Sequence, residues 1–223
     1  SISAAIAVAG TNGLPSIVGD NGHSLILDGQ GHTIRRSGAT AFRILYTALG
    51  STVTLRNIGI QNGLASSSGL GSLGGGVYSW GTLTVERSVF TGNTATTVSG
   101  LGGGIFISRG DTTITDSTFT GNTATSGAAV YAYQANATIT ANTFAANSAT
   151  NGGAVTNENA TVTLTNNTFS GNQASTGSGG AINQTFGSML LIHNTITGNS
   201  AGDMGGGLYN FVGTMTLRNN LIS

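Results

Sequence analysis

Apolar residues recur along this chain on two superposed intervals. At short range they alternate with polar ones: Ala160-Thr-Val-Thr-Leu-Thr165 places β-branched and aliphatic residues at period two, the pattern of a strand with one buried face. At longer range two motifs return in phase. The first is three small residues and an aliphatic, as in Gly74-Gly-Gly-Val77, Gly102-Gly-Gly-Ile105, Gly152-Gly-Ala-Val155, Gly179-Gly-Ala-Ile182 and Gly205-Gly-Gly-Leu208, with Gly127-Ala-Ala-Val130 as the variant lacking the glycine pair. The second is Phe90-Thr-Gly-Asn93, Phe119-Thr-Gly-Asn122, Phe144-Ala-Ala-Asn147, Phe169-Ser-Gly-Asn172 and Ile196-Thr-Gly-Asn199.

Both motifs step by 25 to 29 residues. A repeat of this length, made of short strands and turns with no helical periodicity, cannot bury its apolar face alone, so successive repeats must stack. The pattern predicts an all-β fold, a parallel β-helix of about eight coils, occupying 1–223 as one domain. Within it, 1–19 is expected to cap the N-terminal end through Ile2, Ile6 and Val8, 20–73 to form irregular first coils with 64–73 as a protruding loop, and 74–223 to carry the regular repeats.

Indexing on the second motif predicts the inside. Five residues before the Phe or Ile stand Leu55, Val85, Ile114, Ile139, Leu164 and Leu191; seven before stand Val53, Leu83, Thr112, Ala137, Val162 and Met189. Two before come Ser88, Ser117, Asn142, Asn167 and Asn194, expected to form a hydrogen-bonded ladder at a turn. The glycine pairs are expected where the chain turns sharply into the next strand, at positive φ or close backbone approach.

Composition narrows the function. Seven basic residues, all Arg, cancel seven acidic ones, and only 6% of residues are charged. A nucleic-acid or anionic-membrane binder needs a basic surplus, so no nucleic-acid partner is expected. No apolar run reaches the ~18 residues of a membrane span, so membrane insertion is not expected either. With no Cys and three scattered His, neither a transition-metal site nor any other cofactor is anticipated.

The motifs carry a family resemblance. Gly152-Gly-Ala-Val155, Gly179-Gly-Ala-Ile182 and Phe-x-x-Asn four times between Phe90 and Asn172 resemble the repeats of polymorphic outer-membrane proteins, bacterial surface proteins within the pectin-lyase-like superfamily of right-handed parallel β-helices. The resemblance implies a secreted or cell-surface location and an adhesive role, with glycans or a host or neighbouring cell surface as partner. The same fold also hosts polysaccharide lyases and hydrolases, the main alternative.

Such enzymes need converging carboxylates. The acids here are Asp20, Asp28, Glu86, Asp111, Asp116, Glu158 and Asp203; Glu86 and Asp116 lie in adjacent coils but on different ladders, and solvated turn charges explain them best. Asp28-Gly-Gln-Gly-His32 and His193 read as turns. No catalytic or metal residue is assigned.

Two faces are candidates for binding. Tyr78, Trp80, Phe106, Tyr131 and Tyr133 alternate with inward Val77, Ile105 and Val130, so they are expected to form an exposed aromatic strip suited to stacking on sugar rings. A threonine array is formed by Thr54, Thr84, Thr113, Thr138 and Thr163, flanked by Thr115, Thr140 and Thr165; regular hydroxyl rows on an uncharged sheet suit ordered water or ice. Finally, the coil begun at Gly205 carries no evident cap, which would suit end-to-end self-association as a structural solenoid.

Overall fold

The computed structural model describes residues 12–19, 24–96 and 98–223. The chain winds through four parallel sheets, taken in a fixed order from rung to rung. The first is the aromatic sheet, running from Leu45–Thr47 through Val77–Ser79, Ile105–Ser108 and Val130–Tyr133 to Leu208–Asn210. Next comes the threonine sheet, eight strands from Ser24–Asp28 through Thr52–Arg56, Thr82–Glu86 and Asp111–Thr115 to Thr214–Arg218. The phenylalanine sheet, also of eight strands, follows from Thr33–Arg35 to Leu221–Ile222, and a narrow alanine sheet of six strands runs from Leu64–Ala65 to Ser200–Ala201. Eight parallel strands at the ~4.8 Å interstrand spacing make a rod of roughly 35 Å.

Residue identity explains the sheets. In the threonine sheet, aliphatics point inward and β-branched polar residues outward, so Val53, Leu83, Ala137, Val162 and Met189 form one buried column and Leu55, Val85, Ile114, Ile139, Leu164 and Leu191 another. Phe90, Phe119, Phe144 and Phe169 form a third, with ring centroids 4.8, 5.1 and 4.7 Å apart and planes within 14° of parallel. The parallel register forces stacked rather than edge-on rings, and each such pair adds about 0.5–1.5 kcal/mol beyond its burial.

The expected ladder forms, and a second accompanies it. Ser88 N–H donates to Ser117 Oγ, Ser117 N–H to Asn142 Oδ1 and Asn142 N–H to Asn167 Oδ1. The motif asparagines Asn93, Asn122, Asn147, Asn172 and Asn199 make the same connection from rung to rung at the next corner.

Corners are made by residues in the left-handed region. Between the threonine and phenylalanine sheets these are Asn57, Arg87, Asp116, Ala141, Asn166, His193 and Asn219, with φ from 45° to 58°. In the glycine motif the roles divide: the first glycine supplies positive φ, 58° at Gly152, and the second supplies room, since a Cβ on Gly153 would lie 2.0 Å from the Gly180 carbonyl oxygen.

The early rungs are more regular than expected. Ser24–Asp28 and Thr33–Arg35 pair in register with Thr52–Arg56 and Gly59–Gln61. Asn12 and Ile17 bridge to Arg43 and Thr47, so 12–19 adds to the aromatic sheet. The anticipated covering residues Ile2, Ile6 and Val8 lie outside the described residues. The segment after Ala65 does not simply protrude: Gly69–Ser72 forms a 3-10 turn with Gly71 and Ser72 buried, and Leu73 bridges to Leu101. On the last rung Leu217, Leu221 and Ile222 are exposed.

Candidate functional site

The aromatic sheet has the expected alternation. Val77, Ile105 and Val130 are inward and paired in register; Tyr46, Tyr78, Phe106 and Tyr131 form a column on the other face, with ring centroids 5.1 to 5.6 Å apart. That column is not open to solvent. Tyr78, Phe106 and Tyr131 are only 3%, 4% and 5% exposed, because Leu73 and Leu101, carried on the longer connections before the glycine corners, pack over them with Trp80 and Tyr133. The expectation of an exposed strip is therefore corrected for these three residues: what faces away from the solenoid core is covered by a second, smaller apolar cluster.

The edges of the strip remain partly accessible. Trp80 is half-buried, with the Arg109 guanidinium 5.9 Å from its ring centre and its indole N–H buried without a partner. Tyr133 is half-buried beside it in the cluster. Tyr131 donates its hydroxyl proton to Glu158, and burial together with this bond pushes its ionisation well above the usual tyrosine value.

The threonine sheet presents its array as expected. Thr54, Thr84, Thr113, Thr138 and Thr163 are in register over five successive rungs, continued by Leu190 and Thr216; Thr115, Thr140 and Thr165 align beside them, following Arg56 and Glu86. Thr113 and Thr138 are exposed and the others half-buried. Their β-branched side chains suit the pleat, and alternation with buried aliphatics fixes which face they occupy.

Asp28, Glu86, Asp111, Glu158 and Asp203 lie apart, each with its own partner, and Asp20 lies outside the described residues. Asp28 accepts from Arg56 at 2.9 Å and from the Gln30 N–H, which with Asn57 hold its carboxyl below the ordinary value; Glu86 meets Arg87 at 3.3 Å. Asn136 donates to Asp111 and Ser178 to Asp203. Glu86 lies in the column of Thr115, whereas Asp116 sits at the corner, so the two do not share a ladder. His32 N–H donates to Gly29 O and His193 occupies a corner at φ 55°, as turn residues. Among the described residues no three His, Cys, Asp or Glu come together in a way that could hold a metal ion, and no helix is long and apolar enough to cross a membrane.

One feature escaped the sequence reading. Arg43, flanked by buried Phe42 and Ile44, is itself 2% exposed at the base of a cavity of about 320 Å³ at the N-terminal end of the aromatic column. A charged residue inside the apolar run Phe42-Arg-Ile-Leu-Tyr46 was the available signal.

The family described as right handed beta helix region matches residues 12–222. The chain belongs to that family. No curated protein and no solved structure matches it. The membership agrees with the four parallel sheets and adds the handedness of this β-helix.

Proposed function

We propose that this β-helix is a non-enzymatic, adhesin-like module of a secreted or cell-surface protein, meeting a glycan on its threonine sheet. The observation that carries the reading is the in-register column Thr54, Thr84, Thr113, Thr138 and Thr163. It offers hydroxyl groups at the ~4.8 Å rung spacing on a face whose charges, among them Asp28, Arg56 and Glu86 on one side and Asp111 on the other, stand at the margins, so that hydrogen bonding rather than salt-sensitive attraction would dominate contact. The likeness of the Gly-Gly-Ala-Ile and Phe-x-x-Asn motifs to polymorphic outer-membrane-protein repeats supports the surface location. The separate partnering of the acids favours binding over hydrolysis or lyase chemistry.

A glycan array tests this, comparing the parent chain with the double variant Thr113→Lys and Thr138→Lys, which alters exposed positions and leaves the core untouched. Loss of binding in the variant is expected. Equal binding by both, or no binding by the parent, removes the reading. Release of reducing ends or unsaturated uronates from any polysaccharide on the same panel would favour the enzymatic alternative.

The same column supports a second reading, ordering of water against ice, because each threonine offers a hydroxyl and a methyl at a fixed repeat. Thermal hysteresis no larger than that of an inert protein would dispose of it.

A further inference from the structure

The cavity above Arg43 is lined by Asn12, Ser16, Tyr46, Leu70 and Tyr78, drawn from segments about thirty residues apart in sequence. Exposed Ser16 and Leu70 rim its mouth, and half-buried Tyr46 forms a wall. Arg43 spends one guanidinium N–H on the Leu70 carbonyl and lies 5.2 Å from the centre of the Tyr78 ring. Its Nε is buried with no hydrogen-bond partner. Among the described residues the ion pairs use Arg56 and Arg87, not Arg43, and the ionisable neighbours acting on Arg43 are the Tyr46 and Tyr78 hydroxyls.

A buried cation without a counter-charge is expensive to maintain, and its usual remedy is an anion. Here a second orphan stands beside the first. Asn12, 5% exposed and bridged to Arg43 across the sheet, donates its amide to Ser16 Oγ at 3.2 Å but leaves Oδ1 buried and unpaired. The cavity thus holds an unsatisfied cationic donor and an unsatisfied neutral acceptor. Inorganic anions without a proton to donate satisfy only the first. A carboxylate carrying a neighbouring hydroxyl satisfies both, and a tyrosine ring on the wall suits the apolar face of a sugar.

We propose that this cavity is a binding site for a hydroxylated carboxylate, the acid group paired with Arg43 and a hydroxyl donating to Asn12 Oδ1. At about 320 Å³ the cavity falls at the small end of ligand pockets, which matches a single acidic sugar unit or a small hydroxy acid. The site is separate from the threonine sheet and does not depend on its role.

Calorimetric titration of the whole chain with D-glucuronate, D-glucose and lactate tests the assignment. Glucuronate is expected to bind and glucose, which lacks the carboxylate, to bind at least tenfold more weakly. Arg43→Gln is expected to abolish glucuronate binding. Because that variant alters a buried position, Ser16→Asp at the exposed rim serves as the second: it adds a repelling carboxylate, with at least a tenfold loss expected and the circular dichroism of the parent retained. Lactate binding as tightly as glucuronate would assign the site to small hydroxy acids, and preference for glucuronate to sugars; either supports the shared chemistry. Equal binding of glucose, unchanged binding in Ser16→Asp, or no response to either acid overturns the proposal.

Discussion

Asn122 accepts twice from Asn93 through one oxygen: its Oδ1 lies 3.0 Å from the Asn93 backbone nitrogen and 3.1 Å from the Asn93 side-chain nitrogen. Its own amide then donates upward to Asn147 Oδ1 and back to the Phe90 carbonyl. One side chain therefore satisfies polar groups on the rungs below and above its own, all in a corner closed to water, which explains why the motif ends in Asn while its two middle positions vary.

Replacing a ladder residue should cost accordingly. Asn147→Ala removes the acceptor of the Asn122 backbone and side-chain N–H groups and the donor to Asn172 Oδ1 and the Phe119 carbonyl. With ~1–3 kcal/mol for each group left buried and unpaired, a loss of about 3 kcal/mol or more is expected in urea denaturation. A loss below 1 kcal/mol would mean that water enters the corner.

Thr112 presents the opposite case. It occupies an inward position between Leu83 and Ala137, 3% exposed, with its hydroxyl unpartnered. Thr112→Val keeps the shape and removes the orphan, so a gain of about 1 kcal/mol or more is expected, read as a higher denaturation midpoint at unchanged slope.

The corner after the Phe motif supplies a backbone test. Ala146 holds φ 52° where Gly92, Gly121, Gly171 and Gly198 stand on other rungs at 60° to 62°. The left-handed region costs a non-glycine residue ~1–2 kcal/mol, partly offset by the freedom glycine regains on unfolding. Ala146→Gly should stabilise by about 0.5–1 kcal/mol, whereas Gly171→Val should destabilise by more than that; thermal unfolding of both variants checks the sign.

Alkaline pH should weaken the fold. Desolvation raises the ionisation of Tyr46, Tyr78 and Tyr131 above the ordinary value of 10.0, so the folded chain holds these protons more tightly than the unfolded one. Their contribution is complete below about pH 10 and is lost as pH rises beyond it. Arg43 acts with the opposite sign. Burial lowers it from the ordinary arginine value to about 10, so between the two the unfolded chain binds more protons and stability rises with pH. Three raised groups against one lowered predict a net decline above about pH 10, and Tyr131→Phe should make the decline shallower. Denaturation midpoints across this range, with phenolate absorbance followed in parallel, provide the measurement; an unchanged midpoint would contradict the burial of the column.

The β-helix was legible from the chain because each rung repeats the same local chemistry. Alternation placed Leu55, Val85 and Ile114 inside and Thr54, Thr84 and Thr113 outside, and a constant interval stacked them; the phenylalanine column and the Ser88-to-Asn194 ladder followed from the same counting. What sequence could not decide lay in segments that do not repeat. Alternation put Tyr78, Phe106 and Tyr131 on the outer side of their sheet, but Leu73 and Leu101 on connections of unequal length determine that this side is covered. Nothing in the repeat singles out Arg43 either; its burial is decided by Asn12, Leu70 and Tyr78, which close around it. Periodicity reports which way a side chain points from its own strand, whereas solvent access depends on what other segments fold across it, and only the tertiary structure supplies that.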